Sequence, residues 1–341
     1  MRHRRTRITI AVVAVVLLLL AGAIYLRAKA PPEVARLLPE SDGIIYINLR
    51  PLRAATHFDK MPVTHSPSYQ KFINATGIVF ERDLDEVAFG LEKMPNPNGP
   101  NGPVAYSEVF EGHFDGGRLK KYLASIADAK EMYAGHTIYD IRNDGRTDRV
   151  ALLGYDMVAV SNTPTPEQIH SIVDRYRTAA LSFTGSSLLA AHYHDVPLLS
   201  IAWGIGKIGL PFSGSQQKQI SVDGVQLPIS PNATFVASVR WSGALRLRVE
   251  EIAESAQSAA QTAQSLRSVL DLVHAAENTP PGQQMDPNVR SVLNSAKVRQ
   301  KKNHVVLTAS IPDALVRAAL TPVKTPPTAT PPAAKQPADK P

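Results

Sequence analysis

Cysteine is absent from all 341 residues of the chain. That removes thiol nucleophiles, cysteine-based zinc sites, iron–sulfur ligation and disulfides together. A chain of this length needs no disulfide, because its core is large enough to hold without one. Aromatic residues are scarce, at 6% with two tryptophans. Several signatures of chemistry are also missing: no Gly-x-Ser-x-Gly elbow, no phosphate-binding Walker loop and no His-Glu-x-x-His.

Acidic side chains are missing from one end. Residues 1–30 carry six basic residues and no acid, and residues 322–341 have a net +2, which leaves −1 of the chain's formal +7 for everything between. The basic balance therefore belongs to the ends, and the body offers no footprint for nucleic acid.

What is present begins with a long apolar run. Residues 8–26, ITIAVVAVVLLLLAGAIYL, are uncharged, and a helix of that length spans about 28 Å, close to the hydrocarbon core of a bilayer. Arg2, Arg4, Arg5 and Arg7 precede it, the arrangement that keeps an N-terminus cytoplasmic, and Tyr25 stands where an interfacial aromatic belongs. The alternative is a cleaved signal peptide ending at Ala28-Lys29-Ala30, opposed by the length of the run and by Pro31 just after the cut. Without a cysteine there is no lipobox. The bilayer through residues 8–26 is thus the one partner the sequence names. The expected location is a bacterial inner membrane, single-pass, with the N-terminus inside and the body outside.

The remainder divides into a linker at 27–40, an α+β unit at 41–180, a second at 181–321, and a Pro-rich disordered tail at 322–341. Strands are expected at Ile44–Leu49, Val87–Leu91, Val104–Phe110, His136–Ile141, Arg149–Leu153 and Met157–Ser161. Helices are expected at Pro67–Thr76 and Gly116–Ala127, with another after Pro166. The second half repeats the rhythm, with strands at Leu198–Trp203, Ala233–Trp241 and onward from Leu245. A long helix follows over Glu254–Ala276, a short one over Pro287–Ser295, a hairpin at Lys297–Lys302 and His304–Ile311, and a terminal helix at Pro312–Leu320. The expected fold is α+β, two similar units of mostly antiparallel sheet packed with helices and preceded by one transmembrane helix.

Four motifs invite a chemical reading. Residues 204–209, GIGKIG, have the spacing of a dinucleotide fingerprint, but Pro211 and Gly214 oppose the helix that must follow, so a glycine-rich turn or surface loop is expected and no cofactor. His192 and His194, in HYHD, are the candidate metal ligands, because on a strand they would share a face; an exposed helix-to-strand junction is the plainer alternative. Ser215 and Lys218, like Ser68 and Lys71, match Ser-x-x-Lys, the catalytic pair of some acyl-transferring enzymes, though the closing Lys-[Ser/Thr]-Gly is absent. Lys297, Arg299 and Lys301 alternate, so on a strand they share a face that could meet anionic lipid or a cell-wall polymer, or serve as a solvated edge. Asp83 and Asp85 form a short Asp-x-Asp of the kind glycosyltransferases use.

The segments LLPESDGIIYINLRPL, VFEGHFDGGRLKKYL and YAGHTIYDI resemble those of exported, membrane-anchored bacterial proteins with a duplicated α+β body, over Leu37 to Asn162. The resemblance implies export and fold and brings no functional residue with it. A non-catalytic envelope binding protein, with an envelope protein or cell-wall component as partner, is the reading that follows. An envelope hydrolase or transferase using Ser215, Lys218 and the histidine pair is the enzymatic alternative, and a carrier of lipid or another apolar ligand the third.

Overall fold

The computed structural model describes residues 30–61, 63, 65–179, 185–207, 220–222, 225–227, 232–277, 286–312 and 314–316. Residues 8–26, Ser215 and Lys218 lie outside them, as does the tail. Among the described residues no helix is long and apolar enough to cross a membrane.

Twelve strands form one antiparallel sheet. In chain order they are β1 (Gly43–Asn48), β2 (Leu84–Lys93), β3 (Val104–Gly112), β4 (Ala129–Tyr133), β5 (His136–Asn143), β6 (Arg146–Leu152), β7 (Met157–Ser161), β8 (Ser200–Lys207), β11 (Thr234–Trp241), β12 (Leu245–Ile252), β13 (Lys297–Lys301) and β14 (His304–Ile311). Between β8 and β11, β9 (Ile220–Val222) and β10 (Val225–Leu227) pair as a separate hairpin. Across the large sheet the order is β13-β14-β12-β11-β8-β1-β2-β3-β7-β6-β5-β4. The two expected halves share this sheet without a break, joined where β1 pairs β8 from Gly43↔Gly206 to Ile47↔Ala202.

Because side chains alternate along a strand, register sorts residues onto two faces. On the front face Ile44, Tyr46, Ala88, Val109, Ala151, Ile138, Trp203, Ile205 and Val236 form the main core. Three helices cover it. The first is α1 (Glu33–Arg36), whose Val34 and Ala35, with Leu37 and Leu38 just beyond, are at most 1% exposed. The stretch expected as linker is therefore core from Val34 onward, since VARLL supplies an apolar side of one short turn that the front face can bury. After α2 (Leu49–Thr56), α3 (Pro67–Thr76), α4 (Phe80–Asp83) and α5 (Gly116–Ile126) come the other two front helices. These are α6 (Glu167–Thr178), through Ile169, Ile172 and Val173, and α7 (Ser187–His192), through Leu189.

The back face carries a second core of Tyr139, Val150 and Val158 against Leu119 and Leu123 of α5, with Phe72 of α3 packed alongside. Helix α5 starts where Asp115 accepts hydrogen bonds from the Gly117 and Arg118 amides. Helix α3 has Ser66 as its cap, Pro67 in its first turn and Gly77 (φ +76°) as its stop. Farther along the same face, α8 (Ala256–Glu277) lays Ala259 and Ala263 on Val305, and α9 (Pro287–Ser295) is opened by Asp286. The tight turn read at Asn143-Asp144-Gly145 is a two-residue hairpin with Asp144 at φ +49° and Gly145 at +82°.

Candidate functional site

The HYHD segment does not form a strand. His192 ends α7, and Tyr193–Asp195 make one 3₁₀ turn before β8. Helical geometry turns residues two apart by about 200°, so the two imidazoles do not face one another as they would on a strand. Both instead address Asp195: His192 Nδ1 lies 3.6 Å from Oδ2, and His194 Nε2 lies 3.4 Å from Oδ1. The segment lies at a helix-to-strand junction, with His194 exposed and His192 and Asp195 half-buried. The turn sits on the front face because Tyr193 packs edge-on against Trp203, with ring centroids 5.5 Å apart.

Across this turn stand residues that spacing could not disclose. Asp195, Glu250 of β12 and His304 of β14 each place one ligand-type atom within 4.8 Å of the others. His304 Nδ1 is 3.0 Å from Glu250 Oε1, and these residues are 54 apart in the chain. Arg248 completes the group, with Nη1 at 2.7 Å from Glu250 Oε2 and donating to the Asp195 carbonyl at 3.1 Å. Two carboxylates and an imidazole form a donor set that a divalent ion can use. Here, however, the guanidinium already supplies the positive charge, so the cluster acts as an ionic clasp holding the 3₁₀ turn to β12 and β14.

A second concentration of charge lies on the same face, where β1 ends. Glu86, on β2, accepts from Asn48 Nδ2 at 3.2 Å and lies 3.5 Å from Arg50 Nη1. Burial first, and then Glu111 and Asp85 beside it, raise its carboxyl above the ordinary range despite the Tyr46 hydroxyl. Burial raises Tyr46 as well, and the Glu86 charge adds to the effect. Arg50 further reaches Asp85 Oδ2 at 3.0 Å and Glu111 Oε1 at 2.6 Å, and Arg53 takes Asp85 Oδ1 at 2.9 Å. Burial works to raise the Asp85 carboxyl, but Arg53 and Arg50 outweigh it and the group ends lowered.

The remaining motifs are accounted for by structure. Asp83 and Asp85 are engaged within the fold: Asp83 accepts from the Val79 amide at 2.8 Å and meets Arg82, while Asp85 is held by Arg50 and Arg53. Ser68 and Lys71 lie exposed on α3, Ser68 Oγ being 3.1 Å from the capping Ser66 Oγ. Gly204 and Gly206 are not in a turn or loop but inside β8, paired on both sides with β1 and β11. The place of Gly206 is steric, since a Cβ there would stand 3.2 Å from the Gly43 Cα. With their amides committed to the sheet the two glycines cannot cradle a pyrophosphate.

No protein-family model matches the chain, and no curated protein matches it. Among solved structures, crystal form III of TP0453 is similar at a TM-score of 0.44 and 9% identity, over 85% of this chain and 97% of that one. Crystal form IV of the same protein gives 0.42 and 10%, over 87% and 98%.

Proposed function

We propose that the protein is a single-pass, N-in membrane-anchored binding protein of the bacterial cell envelope, with a non-catalytic body outside the cytoplasm. The observation that carries this reading is the continuity between anchor and core. The apolar run ends at Leu26, and Val34 is already fully buried under the sheet. A body attached so closely is held at the bilayer surface, within about 25 Å for seven extended residues.

Two further features support binding over catalysis. Arginines engage Glu250, Glu86, Asp85 and Glu111, and two histidines engage Asp195, so these carboxylates serve the fold. The strand order also reads as a duplication: moving outward from the β1–β8 junction, β1-β2-β3 followed by α5 matches β8-β11-β12 followed by α8.

The test uses the missing cysteines. Gln336→Cys places a single thiol in the tail, and intact cells are treated with a membrane-impermeant maleimide. Labelling of intact cells is the expected result; labelling only after lysis overturns the topology.

A further inference from the structure

The two basic rows of the sequence meet on one surface. Register places Arg240 opposite Arg246, Arg248 opposite Thr308, Thr308 opposite Lys297, Val306 opposite Arg299, and His304 opposite Lys301. All six cations therefore lie on the front face of β11, β12, β14 and β13. The only acid in that array is Glu250, which Arg248 and His304 already take up. Arg246, Lys297, Arg299 and Lys301 are exposed. Among the described residues no acid pairs with them or with Arg240.

Helix α8 covers the opposite side of these strands, through Val305 and Val298. Outside the described residues, 208–219 have Lys218 and no acid, 278–285 are uncharged and the tail is net positive; before the tail the only acids there are Asp223 and Asp313, too few to match the five cations left unpaired. The occupant is anionic and comes from elsewhere.

We infer that the front face of β11–β12–β14–β13 is a docking surface for the anionic headgroups of a lipid bilayer. Four adjacent strands and five residues along each give a patch of roughly 14 Å by 14 Å, an area rather than a line, which suits a plane of phosphates better than a single polymer strand. Helix α1, the first described element after the anchor in sequence, packs on the same face. This part of the argument rests on the anchored reading above. The consequence is an orientation: the body lies down on an anionic membrane and stands away from a neutral one.

The test takes the full chain with Thr308→Cys as its only thiol, carrying a donor fluorophore, in nanodiscs whose headgroups carry an acceptor. Gln264→Cys, on the outer side of α8, is the control position. Energy transfer from position 308 is expected in discs containing phosphatidylglycerol and not in phosphatidylcholine discs, with little from position 264 in either. Replacing Lys297, Arg299 and Lys301 together by Glu should abolish it, since each cation near such a surface contributes roughly five-fold in binding. Should that variant fail to fold, salt at about 1 M, where screening shortens to about 3 Å, must abolish the transfer in the unaltered chain. A chain retained in both discs without transfer overturns the docking surface and leaves the anchor standing. Retention and transfer only with phosphatidylglycerol support the surface and overturn the anchor. No retention in either disc overturns both. Binding of soluble polyphosphate at position 308 without transfer to phosphatidylglycerol discs overturns the lipid in favour of a polymer.

Discussion

Tyr46 and Trp203 stack across the β1–β8 ladder with ring centroids 5.3 Å apart and an interplanar angle of 26°. They are register partners on the two strands that join the halves of the sheet, and both are at most 3% exposed. Trp203→Ala empties the centre of that junction and is expected to cost about 3–5 kcal/mol. Urea unfolding followed by circular dichroism measures it, and a cost below that of an ordinary surface change would show that the junction is not structural.

Gly206 is expected to resist even the smallest side chain. With its Cβ 3.2 Å from the Gly43 Cα, Gly206→Ala must push β8 from β1 and should destabilise by about 1–3 kcal/mol. The same change at Gly102, whose added Cβ meets nothing within 4 Å, tests positive-φ strain without crowding. Thermal melts of the two variants separate steric from conformational cost.

Glu108 on β3 supplies a pH dependence. Burial, with the Asp148 charge adding to it, pushes its carboxyl up to about 7. A raised folded-state value means that its contribution is fully present below the unfolded value near 4.5, falls as pH rises toward 7, and is constant above. The ceiling on that loss is about 3 kcal/mol, reduced by partial exposure. Glu108→Gln should flatten the decline between these limits in denaturation curves taken across pH. An unchanged slope would assign the decline to other groups.

The clasp at Glu250 should be costly to break by halves and cheap to replace whole. Glu250 is 5% exposed, so Arg248→Met leaves a nearly buried carboxylate with His304 alone and should cost about 2–4 kcal/mol. Adding Glu250→Leu should recover most of the loss. If instead the double variant loses as much again, the pair contributes beyond compensating its own burial.

Much of the fold was legible in the sequence because local signals agreed with the global packing. Pro67–Thr76, Met157–Ser161, Pro287–Ser295 and His304–Ile311 have the limits the sequence suggested, each bounded by a cap, a proline or a tight turn. The edge strand β4, AKEMY, was missed, since it lacks an alternating apolar pattern and is held by β5 alone. The glycines of GIGKIG misled for a different reason: their spacing resembles a phosphate loop, whereas Gly204 and Gly206 lie inside β8 and Gly206 stands where two backbones approach closely, visible only once β1 is seen beside β8. For the candidate site, the sequence pointed to His192 and His194 but not to the set of Asp195, Glu250 and His304, the last two of which register, not spacing, brings to the same place. Ser215 and Lys218 lie outside the described residues.

The order of strands also fixes how the body would carry mechanical load. The chain enters β1 at one rim of the sheet and leaves β14 at the opposite rim, with β8, β11 and β12 between. A pull applied where the chain enters β1 and where it leaves β14 therefore runs along the strands. Ladder hydrogen bonds lie across that direction, so many must shear together before any strand slides. Attached at one end and grasped at the other, this domain would transmit tension like a riveted plate, where a hairpin pulled from one rim would open like a zip.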